Sequence, residues 1–208
     1  MSLPHLHVTS TGLVLAIAAG ITLAPRPACA ADERASPVSA EIDPATFLLR
    51  GYSAHVRLAP RSWPRWTVGV GVYALDLPAA MVDLVPANRA EDWQVRLRLG
   101  YGLFVDRLLW RRAGGQPDEG VLAGVQIAAQ HFRVRNDRLG PESAKMVNWL
   151  LMPRIGYLLR PFAARFYLLG WLGLGGTGRI SGDARVGADS YQVFPVIAFA
   201  AVHLGWSF

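Results

Sequence analysis

The chain has 208 residues, of which 52% are hydrophobic, with a mean hydropathy of +0.25 and a formal net charge of +6. No apolar run after residues 1–30 approaches the roughly 20 residues that a membrane helix needs, so the apolar content is spread over short pieces. Lys145 is the single lysine, and no basic run carries interleaved aromatics, which argues against nucleic acid as a partner; the lone Cys29 excludes a disulfide framework.

Residues 1–30 read as a secretory signal peptide. Leu13 to Ala24 is an apolar run, and Ala28-Cys29-Ala30 places small residues at Ala28 and Ala30, the two positions a signal peptidase reads. Arg26 stands where a lipoprotein motif wants an aliphatic residue, so cleavage after Ala30 is expected. Residues 31–46 are polar and small, and are expected to form a poor first strand or a plug. Within them Asp43-Pro44 is a helix start, with Asp as N-cap and Pro at the first helical position. Gly51 would end that helix, and a strand would follow to Leu58. The competing reading is a strand from Phe47, with Leu48, Tyr52, Ala54, Val56 and Leu58 outward; Arg50 spoils its face.

The rest alternates with period two, the pattern of strands that differ in their two faces. In Arg65 to Leu77, residues Trp66, Val68, Val70, Val72 and Ala74 form one face, and small residues form the other. In Trp93 to Leu109, residues Trp93, Val95, Leu97, Leu99, Tyr101, Leu103 and Val105 are expected outward. Val121 to Arg135 and Val147 to Leu159 follow the same rule, with a bulge expected at Pro153. Arg165 to Ile180 is strand-like but ambiguous in face. In the last strand Val196, Ala198, Ala200, Val202, Leu204, Trp206 and Phe208 form one apolar face.

That terminal strand, ending in Phe208 with Trp206, Leu204 and Val202 before it, resembles the C-terminal assembly signal of small bacterial outer-membrane β-barrels of the OmpA/OmpX/OmpW-like class. The resemblance implies an all-β fold: a closed antiparallel up-and-down transmembrane barrel of about eight strands, over residues 47–208. It implies a bacterial outer-membrane location and a monomer. Its partners would be outer-membrane lipid, lipopolysaccharide and the barrel assembly machinery. Five of the six connections follow the class's rule of short turns at one end and longer loops at the other, and Arg111 to Gly120 departs from it. Ala59 to Pro64 and Arg160 to Ala164 are short, and Arg111 to Gly120 is longer; Pro78 to Asp92, Asn136 to Met146 and Ser181 to Ser190 lie at the other end. Trp63, Trp66, Trp110 and Trp206 sort to one end, and Trp93 and Trp149 to the other, as girdles would. Seven strands are evident, and an even number requires an eighth from residues 31–46.

The interior faces carry an unusual set. Arg96, Arg98 and Arg154 are expected inward, with Gln94, Gln126, Gln130, Asn148 and the acid Asp106; Arg57 joins them if its strand holds. Three guanidiniums against one acid would call for a bound anion or an acidic plug, for which Asp32, Glu33 and Glu41 are candidates. His203 and Ser207 share a face about 13 Å apart, too far for a nucleophile and its base. Ser53 and His55 are closer but lack an evident acid, and His131 falls near the outer rim. No catalytic residue, metal or cofactor is expected. Gly173 to Gly178 lacks the strand–turn–helix setting of a dinucleotide loop. The expected role is therefore non-enzymatic: membrane integrity, surface interaction or minor permeability. The alternatives are a lipid A-modifying enzyme and a soluble periplasmic barrel for an apolar ligand.

Overall fold

Alternating faces produce a ring. The computed structural model describes residues 38–89, 91–161 and 165–208; the signal peptide with Ala28, Cys29 and Ala30, and the acids Asp32 and Glu33, lie outside them. The strands are β1 (Val38–Ile42), β2 (Tyr52–Leu58), β3 (Trp66–Asp76), β4 (Trp93–Arg111), β5 (Gly120–Asn136), β6 (Ser143–Leu159) and β7 (Phe166–Gly182). A small hairpin, β8 (Arg185–Val186) and β9 (Asp189–Ser190), precedes β10 (Val196–Ser207). Eight strands close in the order β1-β10-β7-β6-β5-β4-β3-β2, all antiparallel, as expected for an up-and-down sheet.

The eighth strand is β1, so the ring begins at Val38 and not at residue 47. Val38, Ala40 and Ile42 are exposed on the outside, while Ser39 and Glu41 turn inward. Its register sets Glu41 opposite Gly205 on one side and His55 on the other. At Ile42 the strand gives way to α1 (Pro44–Leu48). The Asp43 carboxylate accepts from the Ala45 N–H at 3.0 Å, and Pro44 opens the first turn. The helix closes at Gly51, whose N–H donates to Thr46 O at 2.8 Å. A Cβ at Gly51 would fall 1.7 Å from the Ala74 carbonyl oxygen, so the chain passes only with glycine there. The strand beginning at Phe47 does not form.

Two facing irregularities decide which way β3 and β4 point. The β3–β4 register shifts between Tyr73 and Leu75, and the β4–β5 register between Leu97 and Leu99. One extra residue turns every later side chain to the opposite face. Leu99, Tyr101 and Leu103 are outward, as expected, but Trp93, Val95 and Leu97 are inward and buried. Gln94, Arg96 and Arg98 are correspondingly exposed on the outside. Pro153 makes no such shift. The β6–β7 pairs Leu151↔Gly176 and Arg154↔Gly173 keep one offset across it, and Pro153 stays opposite Val125. The proline costs ladder bonds without a bulge.

The inside is layered. At one end the inward Trp93, Val95, Leu97, Phe132 and Val134 pack with Val186 and Tyr191 of the connection after β7. Connections 77–92 and 183–195 lie at this loop end and are tied by Asn88, which donates to Gln192 O at 2.8 Å and accepts from Gln192 N at 2.9 Å. A second cluster, with Leu150, Met152, Leu169 and Trp171, lies nearer the turn end. The long 112–119 turn is braced there. Glu119 accepts from Gln116 N and Arg160 N, both at 2.7 Å, and Arg160 also donates to Asp118 and to Ser207 Oγ.

Candidate lumenal site

The interior polar layer is built from short strands on one side of the ring and long strands on the other. Strand β2 turns Ser53, His55 and Arg57 inward, and β1 adds Glu41. Across the lumen β4 supplies Asp106, β5 Gln126 and Gln130, and β6 Asn148 and Arg154; all are buried. Gly71 makes room, since a Cβ there would fall 1.9 Å from His55 Cδ2. Gln126, Gln130, Asn148, Asp106 and Arg154 thus lie where the alternation puts them. Gln94, Arg96 and Arg98 do not. Gln94 donates to Asp137 at 2.6 Å, and Arg96 stands 3.5 Å from Asp76, both on the exterior beyond the bulge.

Asp106 is the centre of the charges. Arg154 grips it with two parallel bonds, Nε to Oδ1 at 2.9 Å and Nη2 to Oδ2 at 2.7 Å. Arg57 Nη2 reaches the same Oδ2 at 3.0 Å, while its Nε lies 3.3 Å from Glu41 Oε1. The Arg154 guanidinium also lies 4.3 Å over the Phe104 ring. Two arginines therefore meet two carboxylates, with Asp43 a third buried acid above them. Among the described residues the expected surplus of positive charge does not exist. Two of its three arginines are outside, and the missing acid, Glu41, comes from the wall rather than from a plug.

Glu41 joins a second chain of bonds. It accepts from Tyr167 OH at 2.8 Å, and its Oε2 lies 2.9 Å from His203 Nδ1. Trp171 Nε1–H donates to His203 Nε2 at 3.1 Å. A ring nitrogen that accepts carries no proton, so the proton sits on Nδ1 and is given to Glu41. His55 stacks on His203 with centroids 4.6 Å apart. Donor atoms of Glu41, His55 and His203 come within 4.8 Å of one another, a spacing a metal could bridge. In this arrangement, however, His203 has no lone pair to offer: Trp171 occupies one nitrogen and the proton the other.

The side chains weighed for catalysis do not combine into a nucleophile and base. Ser207 is held by Arg160. Ser53 Oγ accepts from Asp43 N at 2.5 Å. His131 lies on the outward face beside Tyr101, with rings 5.7 Å apart. Trp63, Trp66, Trp110 and Trp149 are exposed outward, but Trp93 is inside against Tyr191, with ring centroids 5.9 Å apart. Val202, Leu204, Trp206 and Phe208 lie on the outer face of β10 and just beyond it. Sequence reading named Glu41 only as a candidate for an acidic plug, and missed Tyr167 and Trp171 as site residues. The alternation of Val38, Ala40 and Ile42 with Ser39 and Glu41 was the signal for Glu41.

Among the described residues, four buried side-chain atoms lack a hydrogen-bond partner: His55 Nδ1, Arg57 Nη1, His131 Nε2 and Asn148 Oδ1. Two of these residues border cavities. His55 borders one of about 50 Å³ beside Ser53, Trp171 and Phe199, and Asn148 borders another of about 190 Å³ nearer the loop end. No protein-family model matches the chain, and neither a curated protein nor a solved structure matches it.

Proposed function

We propose that this chain is a bacterial outer-membrane β-barrel with a non-enzymatic role at the membrane surface. The observation that carries the reading is the outer face. Val70, Val72, Leu103, Val125, Ile127, Leu151, Ile155, Leu172 and Val202, from successive strands of a closed ring, are all large, apolar and exposed. Water would disfavour that much contiguous apolar surface, whereas lipid suits it. Closure of the ring through β1 and β10 supports the same reading, since an open sheet edge leaves backbone groups unpaired in hydrocarbon, and α1 packs against the part of the β10 edge that β1 does not reach. Exposed tryptophans near the turn end, and Phe208 after the last strand, fit a girdle and an assembly signal.

The interior favours integrity or surface interaction over permeability. The Arg57–Asp106–Arg154–Gln126 layer crosses the lumen with its charges balanced, and apolar clusters lie beyond it. Of the histidines and serines weighed for catalysis, His203, Ser53 and Ser207 are engaged in hydrogen bonds within the wall, and His55 and His131 pack against neighbouring rings. Outer-membrane lipid, lipopolysaccharide and the assembly machinery are the proposed partners. Cell fractionation tests this reading. The protein should sediment with outer membranes, resist carbonate extraction, and migrate faster on a gel unboiled than boiled. Recovery in the soluble periplasmic fraction would overturn it.

A further inference from the structure

The ring is not equally high all round. Strand β10 pairs with β7 from Val196 to Trp206, but β1 covers its other edge only from Leu204 to Ser207. Among the described residues no strand pairs that edge from Val196 to His203, roughly 25 Å of strand. Strand β2 begins only at Tyr52, opposite Ala74. The gap is occupied by α1, which packs against β2, β3 and β10 and leaves Phe47 and Leu48 exposed. The wall therefore carries a lateral notch, filled by a five-residue helix instead of a strand.

The larger cavity lies at the loop end of the unpaired edge, between Leu77, Met81 and Val85 of the connection after β3 and the start of β10. It is bordered by the inward Phe132, Met146 and Asn148 and also by the outward Leu174, Val196 and Ala198. A cavity can touch both faces of a sheet only at an edge or a strand end, and Val196 is at both. Gln130 and Ile197 border both cavities, so the smaller one adjoins the larger on its inner side. The mouth is apolar, while Asn148, paired across strands with Gln130, and the deeper Ser53 and His55 make the inner end polar. Both unpartnered atoms, Asn148 Oδ1 and His55 Nδ1, belong to residues more than nine-tenths buried. Leaving such atoms unpaired is costly, and a ligand donor would relieve it.

We propose that the notch admits a neutral single-chain amphiphile from the bilayer. Its hydroxyl or amide head donates to Asn148 Oδ1, and its chain lies in the apolar mouth. Both cavities fall below the 300–1,000 Å³ of ordinary ligand pockets, which limits the occupant to one chain. Glu41 and Asp106 are matched by Arg57 and Arg154, and Asp43 adds a further buried acid, so these groups offer an anionic head no surplus of positive charge. The inference rests on the membrane-barrel reading.

The test uses the full chain in phosphatidylcholine nanodiscs with a photoreactive monoacylglycerol carrying its diazirine near the head. Label is expected on inward Phe132, Met146 or Ile197, competed by unlabelled monooleoylglycerol. Ala198→Trp, at the mouth on the outer face, should suppress the inward label while heat-modifiable migration stays normal. Asn148→Leu should raise the competing concentration about three- to tenfold, the effect of one hydrogen bond. Label confined to outward Ile127 and Leu151 would overturn the inference and leave the membrane reading standing. Label on neither face would overturn both. A photoreactive fatty acid at pH 8 that labels the interior better than the monoacylglycerol would overturn the neutral-head assignment.

Discussion

The two sides of the ring solve the same problem differently. Strands β4 to β7 are 17 to 19 residues long and pair along nearly their whole length. Strands β1 and β2 have five and seven residues, and a helix completes their side. The tall wall satisfies its backbone by ladder bonds and uses its inward face for packing. The low wall cannot, and the smaller, partly polar cavity lies beside it, against Thr46, Ser53 and His55. A single discontinuity in pairing thus sets where the interior can communicate with the outside, because only an edge joins the two faces of a sheet.

The largest expected effect comes from cutting the link between the walls. Asp106 on the tall wall holds Arg57 from the low wall as well as its own neighbour Arg154. Asp106→Asn leaves the buried Arg154 without its carboxylate and Arg57 with Glu41 alone, and should cost about 3–5 kcal/mol in urea unfolding from lipid vesicles. A loss below about 1 kcal/mol would mean that the walls are joined by packing alone, since apolar contacts would then carry what the ion pairs are assigned.

A middle-sized effect should separate the outer faces. Ile127 lies midway along the tall wall and is half exposed outward, so Ile127→Arg should cost about 2–4 kcal/mol in vesicles. Phe47 on α1 is equally exposed but stands beside the notch, where a guanidinium can turn toward polar groups. Phe47→Arg should cost about 1 kcal/mol or less. Equal losses would indicate that α1 seals the wall as tightly as a strand does. The smallest effect is the sharpest check on the bulge. Arg96→Gln combined with Arg98→Gln should change stability by no more than about 0.5 kcal/mol, because both are exposed and Arg96–Asp76 is a surface pair. A loss approaching that of Asp106→Asn would place them inside.

Local pattern alone determined a good deal. The faces of β5 and β6, with Gln126, Gln130, Asn148 and Arg154 inward, follow from strict period-two alternation in strands that stay in register past these residues. The Asp43-Pro44 helix start follows from capping chemistry within three residues. The apolar outer face of β10 follows from its alternation as well. Tertiary structure decided the rest. Alternation fixes that neighbours oppose one another, but not which face is inside once an extra residue is inserted. The insertions near Leu97 and Tyr73 exist because two strands must bend together, and no single strand's sequence records that. Glu41 belongs to a five-residue strand too short to announce itself, whose partners are the next strand in the chain and the last one. Its bond to His203 spans 162 residues of chain. Charge balance, tautomer and notch are properties of closure: they arise only when β1 meets β10, and ring closure is a long-range event that residue spacing does not encode.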